Sequence, residues 1–421
     1  MLKKDDRDQQ MVYYQAGIGT YTSPAIATPL AARFSKSLDE MVAWNLNSHV
    51  MDGYEFLMQN YKANDRISIF GFSRGAYTAR ALAGMLYKVG LLPACNHQQV
   101  PFAYHMYTSD DDAQARRFKE TFSISVGIEF LGVWDTVSSV GLIPRSLPFA
   151  NSNKVVKTFR HAIALDERRA KFKANHWTCA HGERHEAPAK KTKHTVSAKS
   201  EEQRKLEKLY AKDPEALTNV KEVWFAGCHC DVGGGSVGND TPHSLARIPL
   251  RWMIRQCFKT YSGIMFESSG LKDLGLDPKT LWPKAVKRPA PAPNTLGLRI
   301  RTDDKKAVET SALMTEEEHD LHDVLSPIYD QLSIKPLMWS PLELFPFLPE
   351  VDPNDPHPTF TSRWPNLGNG RKITIGPDHK VRVHRSVKAR LEALGADNST
   401  RYTPKASLDE ALKSGLVKWV K

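Results

Sequence analysis

A serine stands between two glycines in Gly71-Phe72-Ser73-Arg74-Gly75, after the apolar run Ile67-Ser68-Ile69-Phe70 and before the small-residue stretch Ala76-Tyr77-Thr78-Ala79-Arg80-Ala81. The β-branched run reads as a buried strand and the alanine-rich stretch as a helix, which puts the serine on a sharp strand-to-helix turn. A hydroxyl raised on such a turn becomes a nucleophile once a neighbouring base takes its proton. The following helix offers free N–H groups and its positive end to a developing oxyanion, with the Arg74 N–H first in line. Both glycines are expected to remove side chains that would collide in the turn. The plainer alternative is a glycine-rich turn whose serine only caps the helix.

An activated serine needs a histidine and an acid. His384, in Val383-His384-Arg385-Ser386, follows the last expected strand, where the general base of this chemistry belongs; His229, in Cys228-His229-Cys230-Asp231, is the alternate. The chain order serine, acid, histidine favours Asp231 as the orienting carboxylate, with Asp135 as the alternate at the end of the strand Ile128–Trp134. The expected set is therefore Ser73, Asp231 and His384, with the Arg74 N–H holding the oxyanion and no cofactor. The Cys-His-Cys run matches no zinc-ligand spacing, so no metal is expected.

The elements that must position these residues alternate between strand and helix. Met11–Tyr14 reads as a short strand leading into the Gly17–Thr20 loop. A capping box, Ser37 to Glu40, then opens a long helix with Leu38, Val42, Leu46, Val50, Tyr54, Leu57 and Tyr61 on one face and Trp44 as a core residue. With the Ser73 strand this makes a βαβ unit. Ile128–Trp134 and Val223–Gly227 are further strands whose carboxyl ends deliver Asp135 and Asp231 to one rim. Arg160–Phe172 reads as a charged helix whose Asp166, Glu167, Arg168 and Arg169 form surface ion pairs, and Ser244–Tyr261 as a core helix. Proline clusters between Gly270 and Pro365 suggest irregular lid segments, in which Trp339, Leu344, Phe345, Phe347 and Leu348 either line an acyl cleft or pack the insertion. Strands Lys372–Ile375 and Lys380–Val383 flank a turn at Gly376–His379, before a helix Val387–Leu394. The fold class is α/β: an α/β-hydrolase-like, mostly parallel doubly wound sheet with irregular lid or cap insertions. Residues 1–265 form the core with a charged insertion at about 185–215, residues 266–370 the cap, and residues 371–421 a final strand and helix.

With 421 residues and 41% hydrophobic content, the chain can bury a large core. No apolar run approaches the roughly 18 residues of a membrane span, and the first ten residues lack the apolar segment of a signal peptide, so a cytoplasmic protein is expected. Five irregularly spaced cysteines fit reduced thiols. The net charge of +11 suits contact with an anionic lipid surface. Nucleic acid is not an expected partner, because neither an RNP-like aromatic motif nor a zinc-finger spacing occurs.

The motifs GFSRGAYTAR, FLGVWDTVSSVG, RHAIALDERRAKF, WFAGCHCDVGGG followed by LRWMI, and VHRSVKAR, spread in this order over about Met11 to Arg390, resemble one α/β-hydrolase family. It includes the phospholipase effectors of bacterial type VI secretion and many fungal relatives. The resemblance implies a serine esterase, in some members a phospholipase A on membrane glycerophospholipids, with Ser73 at the nucleophile position and Asp135, Asp231, His229 and His384 in its other polar motifs. The family usually begins with a further strand ending in Asp-Gly-Thr, and this sequence is expected to start after it. That strand leads into the loop that supplies a second oxyanion N–H, so the expectation is that the sequence is a truncated form, or that the Gly17–Thr20 loop substitutes, or that activity is impaired. Two non-enzymatic readings stand beside the esterase: a hydrolase fold kept as a binding module, and a basic lipid-surface binder.

Overall fold

Strand-forming runs rich in Val, Ile and Phe recur along the chain, and in the computed structural model they assemble into a six-stranded, all-parallel sheet. The described residues are 1–17, 31–137, 147–177, 218–292, 299–302, 314–344, 365–373, 380–395 and 401–421, with backbone only at 31–45, 338, 341 and 342. The strands are β1 Ile67–Phe72, β2 Ile128–Trp134, β3 Val156–Ala164, β4 Asn219–Phe225, β5 Val381–His384 and β6 Val417–Val420. They lie side by side in chain order. Helices cover both faces, as a doubly wound α/β-hydrolase-like sheet requires.

Alternation along β3 shows the two layers. Phe159 joins the core formed with Leu46, Val50 and Tyr54 of α1 (Ala31–Asn60) and Ala79, Ala83 and Leu86 of α2 (Arg74–Val89). Ala162 and Ala164 face the opposite layer, with Phe225 and with Ile248, Trp252 and Met253 of the helix Arg247–Lys259. Each large apolar side chain so buried contributes about 1.5–3 kcal/mol relative to exposure, which fixes the sheet rigidly beneath its carboxyl rim.

Several sequence expectations change here. Met11–Tyr14 is not a strand; Tyr13 stacks on Phe56 at 4.7 Å and Tyr14 is exposed, so among the described residues β1 pairs with β2 alone. Arg160–Phe172 is not a helix. Its first half is β3, a central strand buried on both faces, and its polar residues are satisfied internally: Arg160 donates to Asn219 O at 2.7 Å and to Gln256 Oε1 at 3.0 Å. The charged residues that mimic a surface helix thus divide between this buried strand and the segment after it, where Glu167 and Arg169 form a buried ion pair rather than a surface one. Lys372 and Ile373 are outside any strand, and the final helix begins at Arg385 rather than Val387. The charged insertion at about 185–215, the Gly376–His379 turn, Phe345, Phe347, Leu348 and residues 18–20 lie outside the described residues, as do the side chains of Ser37, Leu38, Glu40, Val42 and Trp44.

Candidate active site

Ser73 joins β1 to α2 with φ 60° and ψ −126°, a conformation uncommon for a residue with a side chain. Its N–H donates to Trp134 O of β2 at 3.0 Å. Gly71 is required by space, since a Cβ there would lie 2.4 Å from Gly75 O. Gly75 is not: a Cβ there would meet nothing within 4 Å, so only one of the two flanking glycines is sterically demanded. The Arg74 N–H opens α2, where first-turn amides have no intrahelical acceptor.

The Ser73 hydroxyl donates to His229 Nε2 at 2.7 Å, and His229 Nδ1–H donates to Asp135 Oδ2 at 2.6 Å. His229 begins the short helix His229–Gly233 at the carboxyl end of β4. Its N–H donates to Glu167 Oε2 at 3.3 Å, and its ring is flanked by Phe72 at 4.6 Å and, edge on, by Phe172 at 4.9 Å. Asp135 follows β2 with φ 40° and is fully buried. Its N–H donates to Ala162 O at 2.7 Å, and its Oδ1 accepts from the Ala164 N–H at 2.9 Å. Burial alone would raise its pKa, but the Arg371 guanidinium and the His229 hydrogen bond hold the carboxyl well below the usual range.

Beside this relay, Glu167 accepts both Nε–H and Nη2–H of Arg169, at 2.9 and 2.8 Å. The guanidinium lies 3.5 Å from the Phe172 ring centroid and 4.6 Å from that of Trp339, on the helix Pro336–Leu344. Of the residues expected over a cleft, Trp339 therefore adjoins the site through Phe172, whereas Leu344 is exposed.

The structure does not bring His384 or Asp231 to Ser73. His384 ends β5, four strand spacings from β1, or about 19 Å at roughly 4.8 Å per strand. It stacks on Phe225, accepts from the Ser386 hydroxyl at 2.8 Å, and caps the helix Arg385–Glu392. Burial lowers its pKa to about 3. Asp231 faces its own helix end: Oδ2 accepts from the N–H groups of Cys228 (2.9 Å) and Tyr329 (3.0 Å), and Oδ1 from the Ser236 hydroxyl (2.6 Å). It is the acidic half of a capping box, which its position three residues after the N-cap Cys228 makes possible. The Cys228 thiol donates to Asp166 O, and burial raises the pKa of both Cys228 and Cys230, the latter to about 11.

Two parts of the site carried no signal in the sequence. Arg371 grips Asp135 from a segment far along the chain. Behind Asp135, the Thr136 N–H donates to His161 Nε2 at 3.0 Å, and His161 Nδ1–H donates to Glu222 Oε1 at 2.8 Å.

Residues 1–256 match the family described as type VI secretion system, phospholipase effector Tle1-like, catalytic domain. The chain is 29% identical over 375 residues to uncharacterized protein YEL023C of Saccharomyces cerevisiae, covering 65% of this chain and 55% of the yeast protein. Among solved structures it is similar to an uncharacterized protein from Pseudomonas aeruginosa, at 22% identity and TM-score 0.25, covering 60% of this chain and 30% of that one. A second is the Tle1 effector bound to the VgrG spike, at 18% identity and TM-score 0.22, covering 50% and 33%. The chain thus spans about half the length of the yeast relative and about a third of each solved chain.

Proposed function

Since the chain belongs to the Tle1-like phospholipase effector family of type VI secretion, we propose that it is a serine ester hydrolase acting on carboxylic esters of lipids. In this reading Ser73 is the nucleophile, His229 the general base and Asp135 the orienting carboxylate. The observation that carries it is the continuous relay from Ser73 Oγ through the His229 ring to Asp135, with bonds of 2.7 and 2.6 Å. Asp135 is ionised and accepts at both oxygens, so His229 holds its proton on Nδ1 and keeps the Nε2 lone pair for the serine.

Ser73 Oγ attacks the ester carbonyl while His229 Nε2 takes the hydroxyl proton; the carbonyl oxygen becomes an oxyanion that the Arg74 N–H stabilises at the positive end of α2. Collapse expels the alcohol, which leaves with the proton from His229. Water, deprotonated by the same Nε2, attacks the acyl-serine and releases the acid. Phe72 and Phe172 against the imidazole exclude water from its faces, which strengthens the relay's electrostatics. The family description supports a lipid ester substrate, and the net charge of +11 favours approach to an anionic lipid surface.

Labelling with a fluorophosphonate probe tests this reading, because the probe traps an activated serine whatever the natural ester. The wild type labels; Ser73→Ala and His229→Ala abolish labelling, and His384→Ala does not. A folded wild type that stays unlabelled, or a label that survives His229→Ala, overturns the proposal and turns attention to a hydrolase fold used for binding.

A further inference from the structure

Arg371 lies outside the family match at residues 1–256, yet its guanidinium is buried against Asp135. Nη1 donates to Oδ1 at 2.5 Å and Nη2 to Oδ2 at 2.9 Å, a fork on the carboxylate that His229 also uses. The remaining donors are spent on two backbone carbonyls: Ala164 O at the end of β3 (3.1 Å from Nη1) and Phe172 O (3.0 Å from Nε, 2.5 Å from Nη2). One planar group thus ties together Asp135, the end of β3, and the residue whose ring packs edge on to His229.

We propose that Arg371 is a positioning residue for the reaction at Ser73: it fixes the Asp135 carboxylate for His229 and compensates its charge, so that the imidazole is held with Nε2 toward the serine hydroxyl. The inference rests on the reading of Ser73 as nucleophile. Orientation follows from geometry. Asp135 sits at a positive φ, and among the described residues the side chains hydrogen-bonded to its carboxylate are those of His229 and Arg371, whose bidentate fork leaves that group one rotational setting. Charge compensation follows from the groups that face the ring. Asp135 and Arg371 cancel, Glu167 and Arg169 cancel beside them, Ser73 is neutral, and the Cys230 thiol stays protonated. Removing Arg371 leaves the carboxylate uncompensated, which favours a protonated imidazole and withdraws the base. The low pKa of Asp135 agrees with this arrangement.

The measurement is the second-order rate of fluorophosphonate labelling of the full 421-residue chain from about pH 5 to 9, since it needs no knowledge of the ester. Arg371→Gln is expected to slow labelling roughly 10²-fold at neutral pH and to move the low-pH limb of the profile up by about one unit. Arg371→Lys keeps the charge but not the fork, so its limb stays near that of the wild type while its rate remains below it. Added guanidinium partly restores Arg371→Ala. A folded Arg371→Gln that labels at the wild-type rate with an unmoved limb overturns the inference while leaving the Ser73 reading intact. If Arg371→Gln does not fold, an Arg371→Lys limb displaced upward overturns it instead. An unlabelled wild type removes both readings together.

Discussion

Two histidine–carboxylate pairs with buried rings meet at β2 to β4, and what separates them chemically is the partner of the second ring nitrogen. In the first, His229 Nδ1–H donates to Asp135 at 2.6 Å; in the second, His161 Nδ1–H donates to Glu222 at 2.8 Å, across the β3–β4 register where the two residues are directly paired. Both rings are shielded from water. The difference lies at the other nitrogen. His229 Nε2 accepts from the Ser73 hydroxyl, whose proton can be transferred, whereas His161 Nε2 accepts from the Thr136 N–H, whose proton cannot. A histidine oriented by a carboxylate is therefore no base until its free lone pair meets an acidic O–H. The second pair spends the same lone pair on holding the residue after Asp135. Burial lowers the His161 pKa despite Glu222, which keeps Nε2 unprotonated for that bond.

Breaking each pair tests the contrast most severely. His229→Asn is expected to reduce probe labelling and ester turnover by about 10⁶-fold, the loss typical of a triad base, while His161→Asn costs about tenfold or less through slackening of the Thr136 backbone. Comparable losses in the two variants would erase the distinction. A step down in size, Asp135→Asn is expected to lower the rate about 10⁴-fold with the fold retained, because an amide holds the wrong tautomer. Glu222→Gln moves the other quantity: its Oε1 accepts from His161 and from the Trp177 N–H, so the variant loses about 1–3 kcal/mol in urea unfolding while keeping most of its labelling rate.

Much of the scaffold was legible, and the reasons differ by element. The turn around Ser73 and the strands β1, β2 and β4 carry the Ile, Val, Phe and Trp runs that only a buried strand explains, and each leads within a few residues to a polar side chain, Ser73, Asp135 and His229. The strand β3 was not legible, because Lys157, Arg160 and His161 interrupt its apolar run and their partners lie on other strands and helices. In the proposed relay the residues follow the expected order along the chain, serine, acid, histidine, as Ser73, Asp135 and His229, whereas the expected His384 lies at the end of β5, away from Ser73. His384 and Asp231 occupy positions that look catalytic in one dimension, a polar residue after an apolar run, but both are spent on helix caps. Arg371 had no local pattern at all, since the carboxylate it grips lies 236 residues earlier in the chain.

His384 supplies the smallest and most quantitative test, a third buried histidine that lacks a carboxylate hydrogen bond. Its Nδ1 accepts from Ser386, and its Nε2 has no partner among the described residues. Protonation would place a charge in the core near Arg288, Arg385 and Arg251, and burial, the largest cause, lowers its pKa from 6.5 to about 3 despite Asp320. The unfolded chain then takes up the proton first as pH falls. Stability is unaffected by this group above about pH 6.5 and is lost progressively down to about pH 3, amounting to about 2 kcal/mol at pH 5. His384→Phe keeps the stack on Phe225 without a titrating nitrogen, so the difference in unfolding free energy between about pH 7 and pH 5 should shrink by about that 2 kcal/mol relative to wild type. The same substitution at His229 would abolish labelling at every pH. An acid-stability slope in His384→Phe as steep as that of the wild type would mean that His384 is not held neutral by burial.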